Sequence, residues 1–174
     1  MDLYRELGGI LAAPKLAPGS WDIAYSNGSV VELDEDMHFN RYRLTTLDAP
    51  WAPQLPWAKD YRGYSVRGEG RSGAGGKRWT NPSAEKMFGS ADPDGVFGQH
   101  GAPRWKQRAL YDSMKDAAAA AGNVRLARVS IYDVVEGRPL NEVLYGRAKV
   151  APEAVAELVI RRMVSMSPIT RYES

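Results

Sequence analysis

The strongest constraint on the fold is a turn signal at Ser26-Asn27-Gly28, which separates two short stretches that favour β-strands. Residues 21–25 and 29–34 on either side are rich in β-branched and aromatic side chains. This combination predicts a β-hairpin. Asp22 lies on its first strand and Glu32 on its second, so the length of the loop decides whether these two acids meet.

Two loop lengths fit this segment. A two-residue loop at Asn27-Gly28 pairs Asp22 with Leu33 and sends Glu32 to the opposite face, because side chains alternate along a strand. A three-residue loop, with Gly28 in the left-handed conformation, pairs Asp22 with Glu32. Their β-carbons would then lie about 5 Å apart.

Asp34 follows on the same face as Glu32, so the three-residue loop would gather three carboxylates. Carboxylates this close raise one another's pKa, and a bound divalent cation reverses that effect. Oxygen ligands favour Mg²⁺ or Mn²⁺ over Zn²⁺. Asp22, Glu32 and Asp34 are therefore the candidate metal ligands. The alternative is a solvated hairpin edge, in which these acids, with Glu35 and Asp36, face water.

The residues after Glu32 continue the pattern. The chain reads Glu-x-Asp-x-x-x-His from Glu32 to His38, and Asn40, Arg43 and Leu47 follow at helical spacing. The pattern resembles the small nucleases related to very-short-patch-repair endonucleases, within the PD-(D/E)XK superfamily. Those proteins have an Asp on one strand, then Glu-x-Asp-Gly-x-x-His, then a helix with Asp-x-x-Arg-x-x-x-Leu.

The resemblance is incomplete. The matching residues are Asp22, Glu32, Asp34, His38, Arg43 and Leu47. Glu35 stands where the family usually has Gly, Asn40 stands where it has Asp, and the segment between His38 and Asn40 is shorter than usual. Asp34 occupies the usual lysine position of the superfamily, as it does in these relatives, which leaves open the group that activates the water.

A second motif lies on a predicted helix at residues 104–121, which has Pro103 at its start and Gly122 after its end. Gln107 and Tyr111 share one face of this helix. Gln-x-x-x-Tyr after the catalytic strands resembles a motif of the nuclease domains in bacterial recombination helicase-nucleases, where it sits beside the metal site. Alternatively, Tyr111 is a core residue and Gln107 a surface residue.

The two resemblances imply an α/β fold with a restriction-endonuclease-like core, in which a mixed sheet with a catalytic hairpin is flanked by helices. They imply a Mg²⁺- or Mn²⁺-dependent endonuclease that hydrolyses DNA phosphodiester bonds. His38 would shuttle a proton or contact the scissile phosphate, and Arg43 would neutralise phosphate charge or support the acids. Gln107 and Tyr111 would position water or substrate, and Lys106 is a candidate for the missing lysine.

Basic and aromatic residues alternate in residues 59–79, a composition that suits contacts to phosphates and bases. This stretch belongs to a Gly- and Trp-rich insertion at about residues 48–103, whose glycine-rich run at 68–76 we expect to be mobile. The alternative is a long solvated excursion. The predicted nucleic-acid contacts are Arg62, Arg67, Arg71, Lys77, Arg78, Trp79, Arg104 and Lys106.

Composition limits the class of protein. The 174 residues, 44% of them hydrophobic, are enough for one domain with a single core, and the absence of cysteine excludes disulfides and thiolate zinc sites. No apolar run approaches a membrane span and the N-terminus lacks the features of a signal peptide, so we expect a cytoplasmic protein. Residues 1–50 carry a net charge of −4 and the remainder +6, a distribution that suits an acidic metal pocket beside basic DNA-binding surface.

The other predicted elements are structural: an N-terminal helix at residues 2–11, a core strand at 124–135 and an amphipathic final helix at 152–166. The final helix would pack on the core, with a homodimer contact as the lesser alternative. Two other functions stay open. One is a degenerate nuclease fold that binds nucleic acid or a protein partner; the other is a His-Asn nuclease that uses His38 and Asn40.

Overall fold

The computed structural model describes residues 2–165. The helices are α1 (Asp2–Glu6), α2 (Arg41–Thr46), α3 (Ala58–Ser72), α4 (Gly76–Trp79), α5 (Pro82–Phe88), α6 (Pro103–Ala120), α7 (Leu140–Leu144) and α8 (Pro152–Arg162). The strands are β1 (Ile23–Ala24), β2 (Ser29–Asp34), β3 (Arg125–Ser130), β4 (Val134–Val135) and β5 (Arg138–Pro139). Short 3₁₀ helices lie at Asp36–His38 and Ala52–Gln54.

The hairpin has the three-residue loop. Antiparallel pairing places Ile23 opposite Val31 and Ala24 opposite Val30, and the same register carries Asp22 to Glu32. Gly28 has a φ of 80°, and its N–H donates to the carbonyl of Tyr25 at 3.0 Å. The left-handed glycine thus fixes the register that brings the two acids together.

A mixed sheet forms the centre of the fold. The order is β1-β2-β3, and β3 runs parallel to β2, with Glu32 opposite Arg128 and Asp34 opposite Ser130. Helix α6 ends five residues before β3 begins and packs over the sheet, as a connection between parallel strands requires. The predicted α/β class, a mixed sheet with flanking helices, is confirmed.

Different helices pack on the two faces of the sheet, α6 on one and α8 on the other. Val30 and Leu126 pack with Ala119 of α6, whereas Val31, Ala127 and Val129 pack with Leu158 of α8. Because side chains alternate along β2, Glu32 and Asp34 share the α6 face with Val30. The acids therefore lie between the sheet and α6.

Residues 48–103 are largely helical and supply part of the core. Trp57, Tyr61, Trp79 and Phe88 are each 1% exposed or less. The prediction of a mobile run at residues 68–76 was wrong for residues 68–72, because α3 continues through Ser72. A β-carbon at Gly68 would lie 3.1 Å from Cβ of Phe39, so this glycine permits close packing of α3.

The ends of the predicted elements need three corrections. The N-terminal helix stops at Glu6, because the chain turns at Gly8, which has a φ of 83°. The predicted strand at 124–135 is interrupted after Ser130, where the Asp133 carboxylate accepts the N–H of Ser130 and holds a turn. The final helix ends at Arg162, and Met166 lies outside the described residues. Among residues 2–165, no helix combines the length and the apolar character that crossing a membrane requires.

Two glycine substitutions test this description. Gly70 lies inside α3, and a β-carbon added there would have no neighbouring atom within 4 Å, so Gly70→Ala should raise the free energy of unfolding by about 0.8 kcal/mol. Gly28→Ala should lower it by about 1 kcal/mol, since φ there is 80°. Urea unfolding of both variants measures these changes. A destabilised Gly70→Ala would contradict a helix through this segment.

Candidate functional site

A cleft of about 500 Å³ opens between the hairpin and α6, and we call it the α6 cleft. It is lined by Pro18, Asp22, Ile23, Glu32, Leu33, Glu35, His38, Arg104, Arg108, Tyr111, Asp112 and Lys115. Four predicted catalytic residues, Asp22, Glu32, His38 and Tyr111, thus lie around one cavity. Arg104, a predicted nucleic-acid contact, joins them.

Asp22 and Glu32 contact each other's strand directly. The N–H of Asp22 donates to Oε1 of Glu32 at 3.3 Å, and the N–H of Leu33 donates to Oδ2 of Asp22 at 2.9 Å. Within residues 2–165 the hydrogen bonds of these two side chains use only those two oxygens. Oδ1 of Asp22 and Oε2 of Glu32 therefore have capacity for a ligand in the cleft.

Lys115 supplies the positive charge beside Glu32. Its Nζ donates to Oε1 of Glu32 at 2.7 Å and to the carbonyl of Ser20 at 2.8 Å, and it lies 4.8 Å from the ring centre of Trp21. Burial raises the pKa of Glu32, and the hydrogen bond from Lys115 opposes that rise. Glu32 is thus a buried carboxylate that is hydrogen-bonded to Lys115, and the charge of Arg128 also lowers its pKa.

Lys106 does not replace the missing lysine, which corrects the prediction. It is 5% exposed, and its Nζ lies 5.3 Å and 5.9 Å from the ring centres of Tyr42 and Phe88. The two lysines are nine residues apart on α6 and so point in different directions, because nine residues is two and a half turns. Only Lys115 turns towards the hairpin.

Asp34 is separated from the other two predicted metal ligands by its own partners. Arg128 Nη1 lies 2.7 Å from both carboxylate oxygens, and the Tyr61 hydroxyl donates to Oδ2 at 2.8 Å. Burial raises the pKa of Asp34, but the charges of Arg128 and His38 outweigh burial and leave it below the usual value. The predicted three-carboxylate set is therefore not formed, since Arg128 neutralises Asp34 inside the core.

His38 lies between two aspartates. Its Nδ1 is 3.0 Å from Oδ1 of Asp34 and 2.7 Å from Oδ2 of Asp112, and its Nε2 is 2.6 Å from Nη1 of Arg108. Asp34, His38 and Asp112 are close enough to hold a metal ion. Arg128, however, already donates to both aspartates, so these ligand atoms serve a buried ion-pair network.

Arg43 belongs to this network and not to the cleft. It is 1% exposed, and its Nη2 donates to Oδ2 of Asp116 at 2.7 Å, while Arg128 Nε donates to Oδ1 of the same carboxylate at 2.7 Å. Of the two predicted roles of Arg43, contact with phosphate is wrong because the side chain is buried, whereas its charge does help to lower the pKa of Asp34, as support of the acids requires. Its role is to join α2 to α6, and Asn40 caps the start of α2.

Gln107 and Tyr111 share a face of α6 as predicted but differ in exposure. Gln107 is 2% exposed; its Nε2 donates to Ser83 Oγ at 3.0 Å and its Oε1 accepts from Arg104 at 2.8 Å. Tyr111 lines the cleft, and its hydroxyl lies 3.6 Å from Sδ of Met87. Gln107 thus positions Arg104 from behind the cleft.

The predicted nucleic-acid contacts divide into three groups. Trp79 and Lys106 are buried and cannot stack on bases or bind phosphate, which corrects those two predictions. Arg62 pairs with Asp48. Arg67, Arg71, Lys77 and Arg78 are exposed, and Lys77 lines a cavity next to the α6 cleft that shares Arg104 with it.

Three cleft residues were missed by sequence reasoning: Arg108, Asp112 and Lys115. With Arg104 they recur at intervals of four, four and three residues, and so form one polar stripe along α6. Asp112-x-x-Lys115 also repeats the acid-x-x-base spacing that was sought at Asn40 and Arg43. A search for that spacing on the later helix would have found it.

Comparison with known proteins gives one match. A family described as "Family of unknown function (DUF7255)" matches residues 2–146. The chain belongs to this family. No curated protein and no solved structure matches it. The match includes the whole α6 cleft and residues 48–103, and it ends before α8.

Acid should weaken the buried network. Burial raises the pKa of Asp112, but His38 and Arg128 outweigh burial and hold it well below the usual value, as they do for Asp34. Stability from these lowered pKa values is fully present above the unfolded-state value of about 4 and is lost progressively as the pH falls from there through the lower folded-state value. Asp112→Asn should therefore cost about 3 kcal/mol at pH 7 and about 1 kcal/mol less at pH 3, which is about one pH unit below the unfolded-state value.

Urea unfolding at the two pH values measures this difference. Glu157→Gln, which changes an exposed acid on α8, is the matched control and should cost little at either pH. An equal loss of stability for Asp112→Asn at pH 7 and pH 3 would contradict the charged network.

Proposed function

We propose that this protein is a metal-dependent nuclease that hydrolyses DNA phosphodiester bonds, with Asp22, Glu32 and Lys115 at its centre. The observation that carries the proposal is the shared position of Glu32. Its carboxylate meets the N–H of Asp22 across the hairpin and Nζ of Lys115 from α6, at the wall of an open cleft. Two acids and a lysine at one cleft suit phosphodiester hydrolysis.

The topology supports the same proposal. A hairpin with the acids is followed by a helix and then by a strand parallel to the second hairpin strand. This is the order that the restriction-endonuclease-like core requires, and the proposal includes that core. In that core α6, which carries Gln107 and Tyr111, would correspond to the helix with the Gln-x-x-x-Tyr motif.

Asp22 and Glu32 fit a magnesium ion as ligands. Mg²⁺ prefers oxygen ligands and is commonly held by one or two carboxylates together with water. Oδ1 of Asp22 and Oε2 of Glu32 are the oxygens with capacity for it. A bound Mg²⁺ would act as a Lewis acid and offset the negative charge of the phosphoryl group.

Lys115 acts on the attacking oxygen. Hydrolysis joins the oxygen of a water molecule to phosphorus and breaks the bond from phosphorus to the leaving oxygen. The water loses a proton to the solvent of the open cleft, and the leaving oxygen takes one up from it. The Lys115 ammonium, held by Glu32 and the Ser20 carbonyl, stabilises the negative charge that develops during attack.

One observation favours a second candidate, a binding module without catalysis. Lys115 already neutralises Glu32, and such a pair binds a divalent cation weakly if the lysine does not turn aside. In that case the arginines of the cleft bind a nucleic-acid strand that the protein does not cut. Cleavage assays separate the two candidates.

Loss of either hairpin acid should abolish cleavage. We expect Asp22→Asn and Glu32→Gln each to lower the cleavage rate of supercoiled plasmid and single-stranded DNA by at least about a hundredfold in Mg²⁺ or Mn²⁺. Glu157→Gln on α8 should cleave like the wild type. Equal activity in Glu32→Gln and the wild type would refute the site, and a folded wild type without activity on either substrate would favour the binding module.

Loss of Lys115 should lower the cleavage rate much more than it lowers the affinity for Mg²⁺. Lys115→Met should lower kcat about a hundredfold through loss of charge stabilisation, while calorimetry still detects Mg²⁺ binding. Lys115→Arg should recover part of the rate. Lys59→Met, at an exposed position on α3, is the control. If Lys115→Met cleaves at the rate of that control, the lysine has no part in the reaction.

A further inference from the structure

Arg104 and Arg108 differ in their partners from Lys115, which lines the same cleft. Both line the α6 cleft and are partly buried, yet neither has a carboxylate within 4.0 Å among residues 2–165. Lys115, Arg43 and Arg128, by contrast, each pair with an acid. Two partly buried arginines thus line one cavity without an ion-pair partner among residues 2–165, although acidic side chains, Asp22, Glu32, Glu35 and Asp112, also line it.

The hydrogen bonds of Arg104 and Arg108 leave some N–H donors of their guanidinium groups without a partner among residues 2–165. Arg104 donates to Oε1 of Gln107 at 2.8 Å, and Nη1 of Arg108 lies 2.6 Å from Nε2 of His38. Nε of Arg108 is buried and has no hydrogen-bond partner within the described part of the chain, which is costly for a charged group. Burial lowers the pKa of Arg104, and so does the charge of Arg108. An anion between the two side chains would offset the repulsion between their charges.

We infer that Arg104 and Arg108 form a phosphate subsite of the α6 cleft. The inference rests on the proposed function, because it identifies the bound group as a phosphate of the substrate strand beside the one that is cut. The two residues are one turn apart, about 6 Å along the helix, so both guanidinium groups can reach one phosphate. Lys115 lies seven residues after Arg108, about 10 Å further along, where a neighbouring phosphate would be hydrolysed.

The cavity beyond Arg104 favours a strand over a single nucleotide. It has a volume of about 700 Å³ and is lined by Gly76, Lys77, Thr80, Asn81, Pro82, Glu85, Asp94 and Arg104. Lys77 is exposed there, so a chain that leaves the subsite meets a further cation. The two cavities share Arg104, and their cations are Lys115, Arg108, Arg104 and Lys77.

Binding without cleavage tests the subsite. All proteins carry Glu32→Gln, and the probe is a fluorescein-labelled 12-mer of thymidine nucleotides, followed by fluorescence anisotropy. Arg104→Gln and Arg108→Gln should each weaken binding about tenfold and reduce the slope of log K against log salt by about one. Arg125→Gln, at an exposed arginine at the start of β3, is the matched control. If both cleft variants bind the 12-mer with the affinity of the control variant, the phosphate subsite is refuted.

Two further measurements distinguish a phosphate of a nucleic-acid strand from that of a free nucleotide, and the phosphate subsite from the proposed hydrolytic centre. Thymidine 5′-monophosphate should compete at least about a hundredfold less well than the 12-mer, and Lys77→Gln should weaken only the 12-mer. Equal competition by the mononucleotide and the 12-mer would overturn the inference that the subsite binds a nucleic-acid strand. If circular dichroism shows that Arg108→Gln is unfolded, Arg108→Lys is used in its place and should retain part of the affinity for the 12-mer. Arginine-dependent binding in a protein that never cleaves DNA would uphold the subsite and refute the hydrolytic centre.

Discussion

The charge of Arg128 holds the interior of this protein together. Asp34 of β2 and the α6 aspartates Asp112 and Asp116 all lie within hydrogen-bonding distance of this one guanidinium group. Burial alone would lower the pKa of Arg128, but the three carboxylates outweigh it and raise the pKa well above the usual value. Without this charge the three carboxylates would repel one another in a medium that screens poorly. The position of α6 on the sheet, and with it the α6 cleft, depends on this cluster.

Local signals predicted the parts of the site that local chemistry determines. The left-handed Gly28 set the hairpin register, and Pro103 and Gly122 marked the ends of α6 within one or two residues. The partner of Asp34 was not predictable in this way, since Arg128 lies 94 residues further along the chain. Strand alternation correctly placed Asp34 beside Glu32 on one face. It carries no information about the group that packs above each acid.

The structure of residues 48–103 was not predicted from the sequence for a different physical reason. The buried side of α3 contains Tyr61 but otherwise only small residues, Ala58, Ser65, Gly68 and Ser72. It therefore shows no helical repeat of large apolar side chains. Its arginines lie on the outer side and dominate the composition. Small residues here allow the helix to approach Phe39 and Tyr132 closely, and backbone proximity replaces large side chains as the packing device. A sequence pattern based on hydrophobicity cannot detect such a face.

The reacting groups of the proposed centre lie far apart along the chain. Glu32 and Lys115 are separated by 83 residues, and the contact of His38 with Asp112 in the neighbouring buried network spans 74. Closing loops of this length is entropically costly and comes late relative to hairpin and helix formation. A growing chain would therefore present its acids on a finished hairpin long before it has the lysine. The protein would acquire any reactivity only when α6 docks, so catalytic competence and completed folding coincide.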